Sequence, residues 1–445
     1  MRRRIGTALV AGLAFLGLGF SPGVASAAVS SLPAATPQLG TSGTDGTIEQ
    51  VRQIVQCGTT MYAVGLFSQV KNPNSSVLIA RNNTFAFSAV SPYRVTAWNP
   101  NVNGQVDTVA CDAGTGSLLL GGVFSSVHGV AVKNIARVNG TTGAVDPAFT
   151  HTSIGGRVAH IEIVGGHALV GGYFTPTKTT PGYLRSLDPL TGADDGYITT
   201  TLISGNYFYT DPLTGKPAAP NATRIWNMTV SPDSTAVLMT GVFTSVGGQH
   251  HEQIFRLDLT PNAPTVSAWA PSDLFLHCAT NEPFYAQDAA WSTDMKTIFT
   301  ATTGDYQADP GSSAGPRTGP CDAALAFSAA AVANGAHLWV NYTGCDSYFS
   351  VAADASTVFN AGHQRWVSNP NACDQAGSGA IVQPGLSELD PATGIYQPGP
   401  NRGRGLGADD LLRTTAGLWI ASDNQANTAA CAGTVGHMGI CFLPN

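Results

Sequence analysis

Three short stretches carry residue types that could do chemistry. Gly311-Ser312-Ser313-Ala314-Gly315 has the spacing of a nucleophile elbow, which needs a strand before its serine and a helix after it. Pro310 and Pro316 enclose it in a polar stretch, so a plain loop is expected. Gly403-Arg404-Gly405-Leu406-Gly407 is rich in glycine, but no helical pattern follows to make a dinucleotide fingerprint. His250-His251-Glu252 could ligate a metal. Adjacent strand residues point to opposite faces and no third ligand is evident, so a solvated hairpin tip is expected, with no metal. No cofactor is expected either. Paired carboxylates could hydrolyse a glycoside, and Glu282 with Asp305 or Asp374 is the pair the sequence nominates.

Whatever positions these residues is built from turns and short strands. The chain has 445 residues, with 51 Gly and 27 Pro, and only 11% are charged. Hydrophobic content is ordinary at 43%, which excludes a disordered chain. Many Gly, Pro and Thr with few charges point to an all-β fold. Residues 1–27 read as a signal peptide: a basic start at Arg2, Arg3 and Arg4, an apolar run from Ile5 to Phe20, and Ala25-Ser26-Ala27 at the cleavage site. The protein is therefore expected outside the cell, with 28–445 as one domain and no membrane anchor. Removing the leader takes three of the 21 basic residues and no acidic one, leaving a formal charge of −10. That charge argues against nucleic acid as partner. All eight cysteines follow the leader, and an even count in an exported chain favours disulfides.

A repeat runs the whole length. An apolar strand ending in Gly-x-Phe appears as YAVGLFSQV (62–70), LLLGGVFSSV (118–127), ALVGGYFTP (168–176) and VLMTGVFTSV (237–246), with weaker copies at 297–306, 357–366 and 417–424. Each is preceded by a first strand: 51–56, 106–111, 158–163, 225–230, 286–291, 348–353 and 408–413. Each is followed by a third: 77–82, 134–139, 183–188, 254–259, 323–328, 385–390 and 437–442. A fourth shows as VTAWNP (95–100), VSAWAP (266–271) and HLWVNY (337–342), which sets Trp98, Trp269 and Trp339 at one repeat position. The link from third to fourth strand is often D-P-x-T-G, as at Asp188–Gly192 and Asp390–Gly394, where Pro and Gly suit a tight turn. The Gly of the second strand implies a bulge or a close approach, expected from the adjacent unit. Seven units of four short strands describe a seven-bladed β-propeller of antiparallel blades. The last copy lacks its fourth strand, which residues 33–47 are expected to supply, closing the ring.

The string GGVFSSVHGVAVKNIARVNGTTGAVDPAF (121–149) resembles the delta-60 repeat of bacterial exported β-propellers. The match is good in repeats 1, 2 and 4, moderate in 3 and poor in 5 to 7. The resemblance implies a propeller fold and offers no catalytic residues to carry over.

In repeats 5 to 7 the loops after the second strand swell, over 304–322, 363–384 and 423–436. The connections 275–285 and 344–348 share their face. Order along the chain suggests the pairs Cys278–Cys321, Cys345–Cys373 and Cys431–Cys441, with Cys57–Cys111 joining the first two units. Long loops on a rigid scaffold are where binding usually resides. The candidates there are Asn281, Glu282, Tyr285, Asp305, Tyr306, Arg317, His363, Arg365, Trp366, Asp374, Asp423 and Asn424. Aromatics beside amides and carboxylates suit a carbohydrate or a peptide. The leading expectation is a monomeric, non-enzymatic binding module for an extracellular carbohydrate or protein. The alternatives are a glycan hydrolase or lyase, and a structural protein without ligand. Asn221-Ala222-Thr223 and Asn227-Met228-Thr229 are glycosylation sequons, the second expected to be buried on a first strand.

Overall fold

A computed structural model describes residues 28–40, 48–150, 154–177, 180–206, 209–210, 217–218, 222–275, 284–304, 319–330, 333–425, 431, 433 and 437–445. Seven antiparallel meander sheets follow one another along the chain. Their first strands are Gln50–Cys57, Gln105–Asp112, Val158–Val164, Arg224–Val230, Phe284–Trp291, Tyr348–Ala353 and Ala408–Thr414. Their second strands are Thr60–Leu66, Ser117–Val123, His167–Gly172, Ala236–Val242, Thr297–Gly304, Val358–Gly362 and Gly417–Ser422. Each first strand packs against the next, and the seventh packs against the first. The core lies between neighbouring sheets: Tyr62, Val64 and Ala86 of the first meet Val106, Leu118 and Leu120 of the second. Trp419, Ala421 and Phe442 of the seventh pack with Val51, Met61 and Phe87 of the first. The four phenylalanines of the Gly-x-Phe motif, Phe67, Phe124, Phe174 and Phe243, are all buried. No helix among the described residues is long and apolar enough to cross a membrane.

The second-strand glycine has a sharper reason than the one expected. Every first strand carries a bulge at one position, between Val51 and Gln53, Val106 and Thr108, Val158 and His160, Ile225 and Asn227, Ala286 and Asp288, Tyr348 and Ser350, and Ala408 and Asp410. The bulge pushes a carbonyl of the first strand towards the second. A Cβ on Gly122 would stand 2.2 Å from the Gln105 carbonyl oxygen, and one on Gly172, Gly241 or Gly362 would stand as close to Arg157, Arg224 or Ser347. The crowding atom thus belongs to the same sheet, not the adjacent one. The adjacent sheet crowds the preceding glycine instead: a Cβ on Gly121 would meet Val158, and one on Gly171 would meet Ile225.

Two expectations about strands are corrected. In the first sheet the third strand is Thr84–Ser88, not 77–82. Leu78–Ala80 instead pairs with Gln69–Lys71 in a small outer sheet. The register is set by a residue with left-handed backbone just before each third strand: Asn83, Asn134, Tyr183, Gln253, Asp322, Gly385 and Gly439, with φ between 47° and 82°. Asn83 therefore matches Asn134, and Leu78 lies half exposed outside the sheet. The fourth strand expected at 337–342 forms in full, and the others are shorter than expected. Fourth strands form as Thr265–Val266, His337–Tyr342 and Tyr396–Gln397, while the first three sheets have single bridges, Phe87 to Val95, Val138 to Val145 and Leu187 to Asp194.

The conserved turn and tryptophan positions act as expected of repeat hardware. Asp188 Oδ1 accepts the Leu190 and Thr191 N–H groups, Asp390 does the same for Ala392 and Thr393, and Gly192 and Gly394 take positive φ. The three tryptophans latch one sheet to the next: Nε1 of Trp98, Trp269 and Trp339 donates to the carbonyls of Asn139, Ser328 and Pro391 at 3.0, 2.8 and 2.9 Å. At the N-terminus, the amides of Ser30, Ala34 and Leu39 donate to Pro444, Phe442 and Met438. The segment thus runs antiparallel beside the last strand, starting earlier than expected and without regular strand form. Residues 41–47 lie outside the described residues.

The disulfides Cys57–Cys111, Cys345–Cys373 and Cys431–Cys441 form as expected. Cys321 is also disulfide-bonded, and its expected partner Cys278 lies outside the described residues.

Gly122→Ala should cost about 2 kcal/mol or more, because backbone must move to admit the methyl group. Gly129→Ala, at φ 77° with open space around it, should cost only about 1 kcal/mol. Urea midpoints of the two variants would check this; equal losses would refute the bulge account.

Candidate functional site

The bulge decides where side chains go. It adds one residue to each first strand, so two consecutive side chains both leave the pairing plane of the sheet. The bulged residues are Arg52, Asp107, Ala159, Trp226, Gln287, Phe349 and Asp409, and all seven line one cavity of about 330 Å³ at the head of the first strands. Gln50, Arg157 and Leu406 complete its rim. A second cavity of about 570 Å³ opens at the other end of the strands, and Gln53, His160, Asn227 and Asp410 line both. The two cavities meet at these four residues and together make up the channel along the first strands.

The residues after the bulge form a second ring that ties strand to strand. Gln53 Oε1 accepts the Val109 N–H at 2.7 Å, and Thr108 Oγ1 accepts that of Ile161 at 3.1 Å. Asn227 Nδ2 donates to Asp288 at 2.7 Å, and Asp288 accepts the Val351 N–H at 2.8 Å. Ser350 Oγ donates to the Ala408 carbonyl, and Asp410 accepts the Ile54 N–H at 2.9 Å. Only His160 departs, bonding to Glu162 on its own strand. Burial pushes the Asp288 carboxyl up to about 7 even though it accepts backbone N–H groups. Burial likewise raises Asp410 and Asp409 to about 6.

The head of the channel is differently furnished. Asp107 is held by Arg157 through two bonds of 2.5 and 2.8 Å, and takes a third from Gln105. Arg52 lies 3.9 Å from Asp409, a loose pairing. Among the residues that line the cavity, three buried atoms have no hydrogen-bond partner, Arg52 Nε, Asp409 Oδ2 and Trp226 Nε1, and the Tyr173 hydroxyl behind them is a fourth. Trp226 stands in an aromatic wall. Tyr285 stacks on it with centroids 5.5 Å apart, and Tyr173 meets it edge-on at 5.4 Å. The Arg224 guanidinium lies 3.8 Å from the Tyr173 ring centroid and 4.8 Å from that of Trp226. Burial pushes the Tyr173 hydroxyl up to about 12, so it stays protonated.

The loop residues expected to form the site are only partly here. Tyr285 is at the wall, and His363 packs edge-on against Phe349 at 5.0 Å, with burial lowering its pKa. Arg365 is spent on Asp346 and Asp374 and lies over Trp366, away from the channel lining. Asp346 also holds Arg404. Asp423 is fully buried, accepting the Leu406 and Gln425 N–H groups, and Asn424 bonds Glu49 and Gly40. Asn424 thereby braces the N-terminal segment, and the Asp423 carboxyl is committed to backbone amides. Asn281, Glu282, Asp305, Tyr306, Arg317 and the stretch 311–315 lie outside the described residues. At the hairpin tip, His250 is exposed and bonded to Glu252, while His251 points inward and is buried, which lowers its pKa to about 4. Asn227 is engaged with Asp288 and Thr229 with Ala289, so the second sequon is occupied by internal bonds; Asn221 lies outside the described residues. The sequence signal for the channel was present. The first strands read V-R-Q, V-D-T, V-A-H, I-W-N, A-Q-D, Y-F-S and A-D-D at one position, six of seven with a polar pair or a large ring after an apolar residue.

Solved structures similar in fold include two whose titles name WD40 repeats or a WD40 β-propeller. U3-55K matches at a TM-score of 0.50 with 7% identity, over 93% of this chain and 100% of that one. The WD40 β-propeller domain of Doa1 gives 0.48 with 10% identity, over 93% and 97%. The RRP9 WD40 repeats give 0.47 with 9% identity, over 93% and 98%. No protein-family model matches the chain, and no curated protein does. At such identities the likeness is one of fold alone: the chain is an all-β protein with a β-propeller fold.

The raised carboxyls carry a sign that can be measured. Folded Asp288 keeps a proton that the unfolded chain releases near pH 4, so its contribution to stability falls as pH rises from about 4 to about 7. Buried His251 works in the opposite direction below pH 6.5, so the useful readout is a difference. Asp288→Asn should gain on the wild type by on the order of 2 kcal/mol between pH 5 and pH 8. Urea midpoints at the two pH values would check it, and parallel pH profiles would refute it.

Proposed function

We propose that the protein is an exported, seven-bladed, closed propeller that acts as a non-enzymatic binding module, with its ligand site at the head of the central channel. The observation that carries this reading is the set of three unpartnered buried atoms, Arg52 Nε, Trp226 Nε1 and Asp409 Oδ2, beside the stacked rings of Trp226 and Tyr285. A buried polar atom without a partner costs about 1–3 kcal/mol, and a ligand that supplies the partner recovers it. Two donors, one carboxyl and an aromatic face match a saccharide, whose hydroxyls donate and accept and whose C–H face stacks on a ring. The amides of Gln50, Gln53 and Gln287 around the same cavity extend that choice. Closure of the ring is supported by the bond from Asp410 to Ile54 and by the N-terminal segment along the last strand. Export is supported by the leader-like residues 1–27 and the disulfides.

Asp409, raised to about 6 with one oxygen unpartnered, favours glycan hydrolysis as a second reading, with this group as general acid. Hydrolysis asks for two carboxyls across the substrate. Among the described residues of the channel, Asp107 is committed to Arg157, Glu162 to His160, and Asp288 and Asp410 to backbone amides. Asp374 of the nominated pair is committed to Arg365. That leaves Asp409 alone, and binding is the better supported reading.

A glycan array probed with the oxidised protein should reveal a ligand, to be followed by calorimetry on the best hit. Trp226→Ala and Arg52→Ala should each weaken binding about tenfold or more, a loss near 1.4 kcal/mol. Trp366→Ala, out on the loop, should change it less than about twofold. Binding that survives Trp226→Ala would refute the channel site, and release of free sugar abolished by Asp409→Asn would favour the hydrolase.

A further inference from the structure

A separate cavity of about 490 Å³ lies far from the channel, between the sixth and seventh sheets. It is lined by Ala28, Val29, Ser31, Glu388, the connection Pro398–Asn401 and Gly433. Glu388 sits on the third strand of the sixth sheet, Leu386–Leu389, opposite Phe359 and Gln397. It is only 7% exposed, and its Oε1 has no hydrogen-bond partner. The wall is close against it: a Cβ on Gly399 would stand 2.5 Å from the carboxyl carbon. The nearest cation, Arg413, is bonded to Asp354 at 2.9 Å. Burial, with Asp354 adding to it, pushes the Glu388 carboxyl up to about 7.

The other wall of this cavity is the start of the mature chain. Val29 is buried with Leu386, Ala408, Cys431 and Cys441. The Ser30 amide donates to the Pro444 carbonyl at 2.6 Å. These two anchors fix Ala28 at the cavity while its own side chain stays exposed. The signal-peptide reading places the scissile bond between Ala27 and Ala28, the last residue of the leader and the first residue at the cavity.

We propose that the cavity is a binding site for a primary ammonium group, and that its native occupant is the α-amino group of Ala28, set free when the leader is removed. The proposal rests on the signal-peptide reading for its occupant and on the cavity for its chemistry. Hydrolysis of the Ala27–Ala28 peptide bond adds water, leaving a carboxylate on Ala27 and an amine on Ala28. That amine, with an ordinary pKa near 8, is protonated at neutral pH. Before cleavage the same nitrogen is an uncharged amide and offers Glu388 no countercharge. After cleavage the ammonium supplies both a charge and up to three donors to a carboxyl that has none. The segment 30–39 that runs along the last strand is thereby pinned at its first residue, and the ring is fully fastened only in the processed chain.

Two measurements separate the site from its occupant. The chain beginning at Ala28, prepared by removing a tag, is compared with the same chain acetylated at its α-amine. Acetylation should lower Tm by roughly 2 °C or more in the wild type, and should leave Tm unchanged in Glu388→Gln. No shift in the wild type, or an equal shift in both backgrounds, would overturn the ammonium site. N-terminal sequencing of the exported protein should read Ala-Val-Ser from Ala28. A different first residue would overturn Ala28 as occupant while the acetylation result continues to judge the site.

Discussion

One extra residue in each first strand is the constraint on which the rest of the molecule depends. A β-bulge opposes two residues to one, and here it recurs at the same place in all seven sheets. It turns one side chain to the head of the channel and hands the next to the neighbouring strand. The neighbour's amide two places beyond its own bulge is what that second side chain captures, as at Ile54, Val109, Ile161 and Val351. Each such bond is worth about 1 kcal/mol, yet its loss would strand a buried N–H at a cost of about 1–3 kcal/mol. In five sheets the bulge also brings a carbonyl to within contact of where a Cβ would stand, and Gly65, Gly122, Gly172, Gly241 and Gly362 lie opposite it there. Thr302 and Ser422 hold that place in the fifth and seventh sheets.

The outer edge of the ring is held by a different kind of bond with the same logic. Neighbouring sheets are joined by long side chains, each with an N–H or O–H that reaches a carbonyl across the gap. Trp98, Trp269 and Trp339 do this with an indole, Tyr62 and Tyr197 with a hydroxyl, and Arg137 and Arg256 with a guanidinium. Such partners let a large apolar body fill the seam while its polar tip is satisfied. This explains a composition low in charge: several of the few arginines serve as donors between sheets. Where the loops lengthen, Cys345–Cys373 takes over the fastening.

Periodicity was enough to locate the seven first strands to within two residues at either end, because a two-residue alternation between buried and turn-flanked segments is strong and repeats. It failed where pattern and pairing part company. VLIARN at 77–82 has the composition of a third strand, and its Ala-Arg echoes the Ala-Arg of 136–137. The left-handed Asn83 fixes the true register, and a single Asn carries too little signal to overrule six residues of apolar pattern. The channel was missed for a related reason. Loop length drew attention to Arg365, Asp374 and Asp423, which are conspicuous because they are polar, and they are polar because they fasten loops. The residues that face the channel are hidden inside strands, and only their alignment across seven repeats sets Arg52, Trp226 and Asp409 side by side.

That alignment also separates what holds the ring from what the ring can hold. The slot after the bulge is nearly uniform in chemistry: six of its seven side chains, Gln53, Thr108, Asn227, Asp288, Ser350 and Asp410, carry an acceptor or donor that reaches the neighbouring strand. The bulged slot has no such uniformity. It accepts Arg, Asp, Ala, Trp, Gln, Phe and Asp on one backbone geometry, and their partners differ as widely: Asp107 is held by Arg157, Trp226 stacks on Tyr285 and Phe349 packs on His363. A position that tolerates Ala159 and Trp226 alike is under no demand from the fold. The side chains found there vary where the next slot does not, and Arg52 Nε, Trp226 Nε1 and Asp409 Oδ2 among them have no hydrogen-bond partner within the fold.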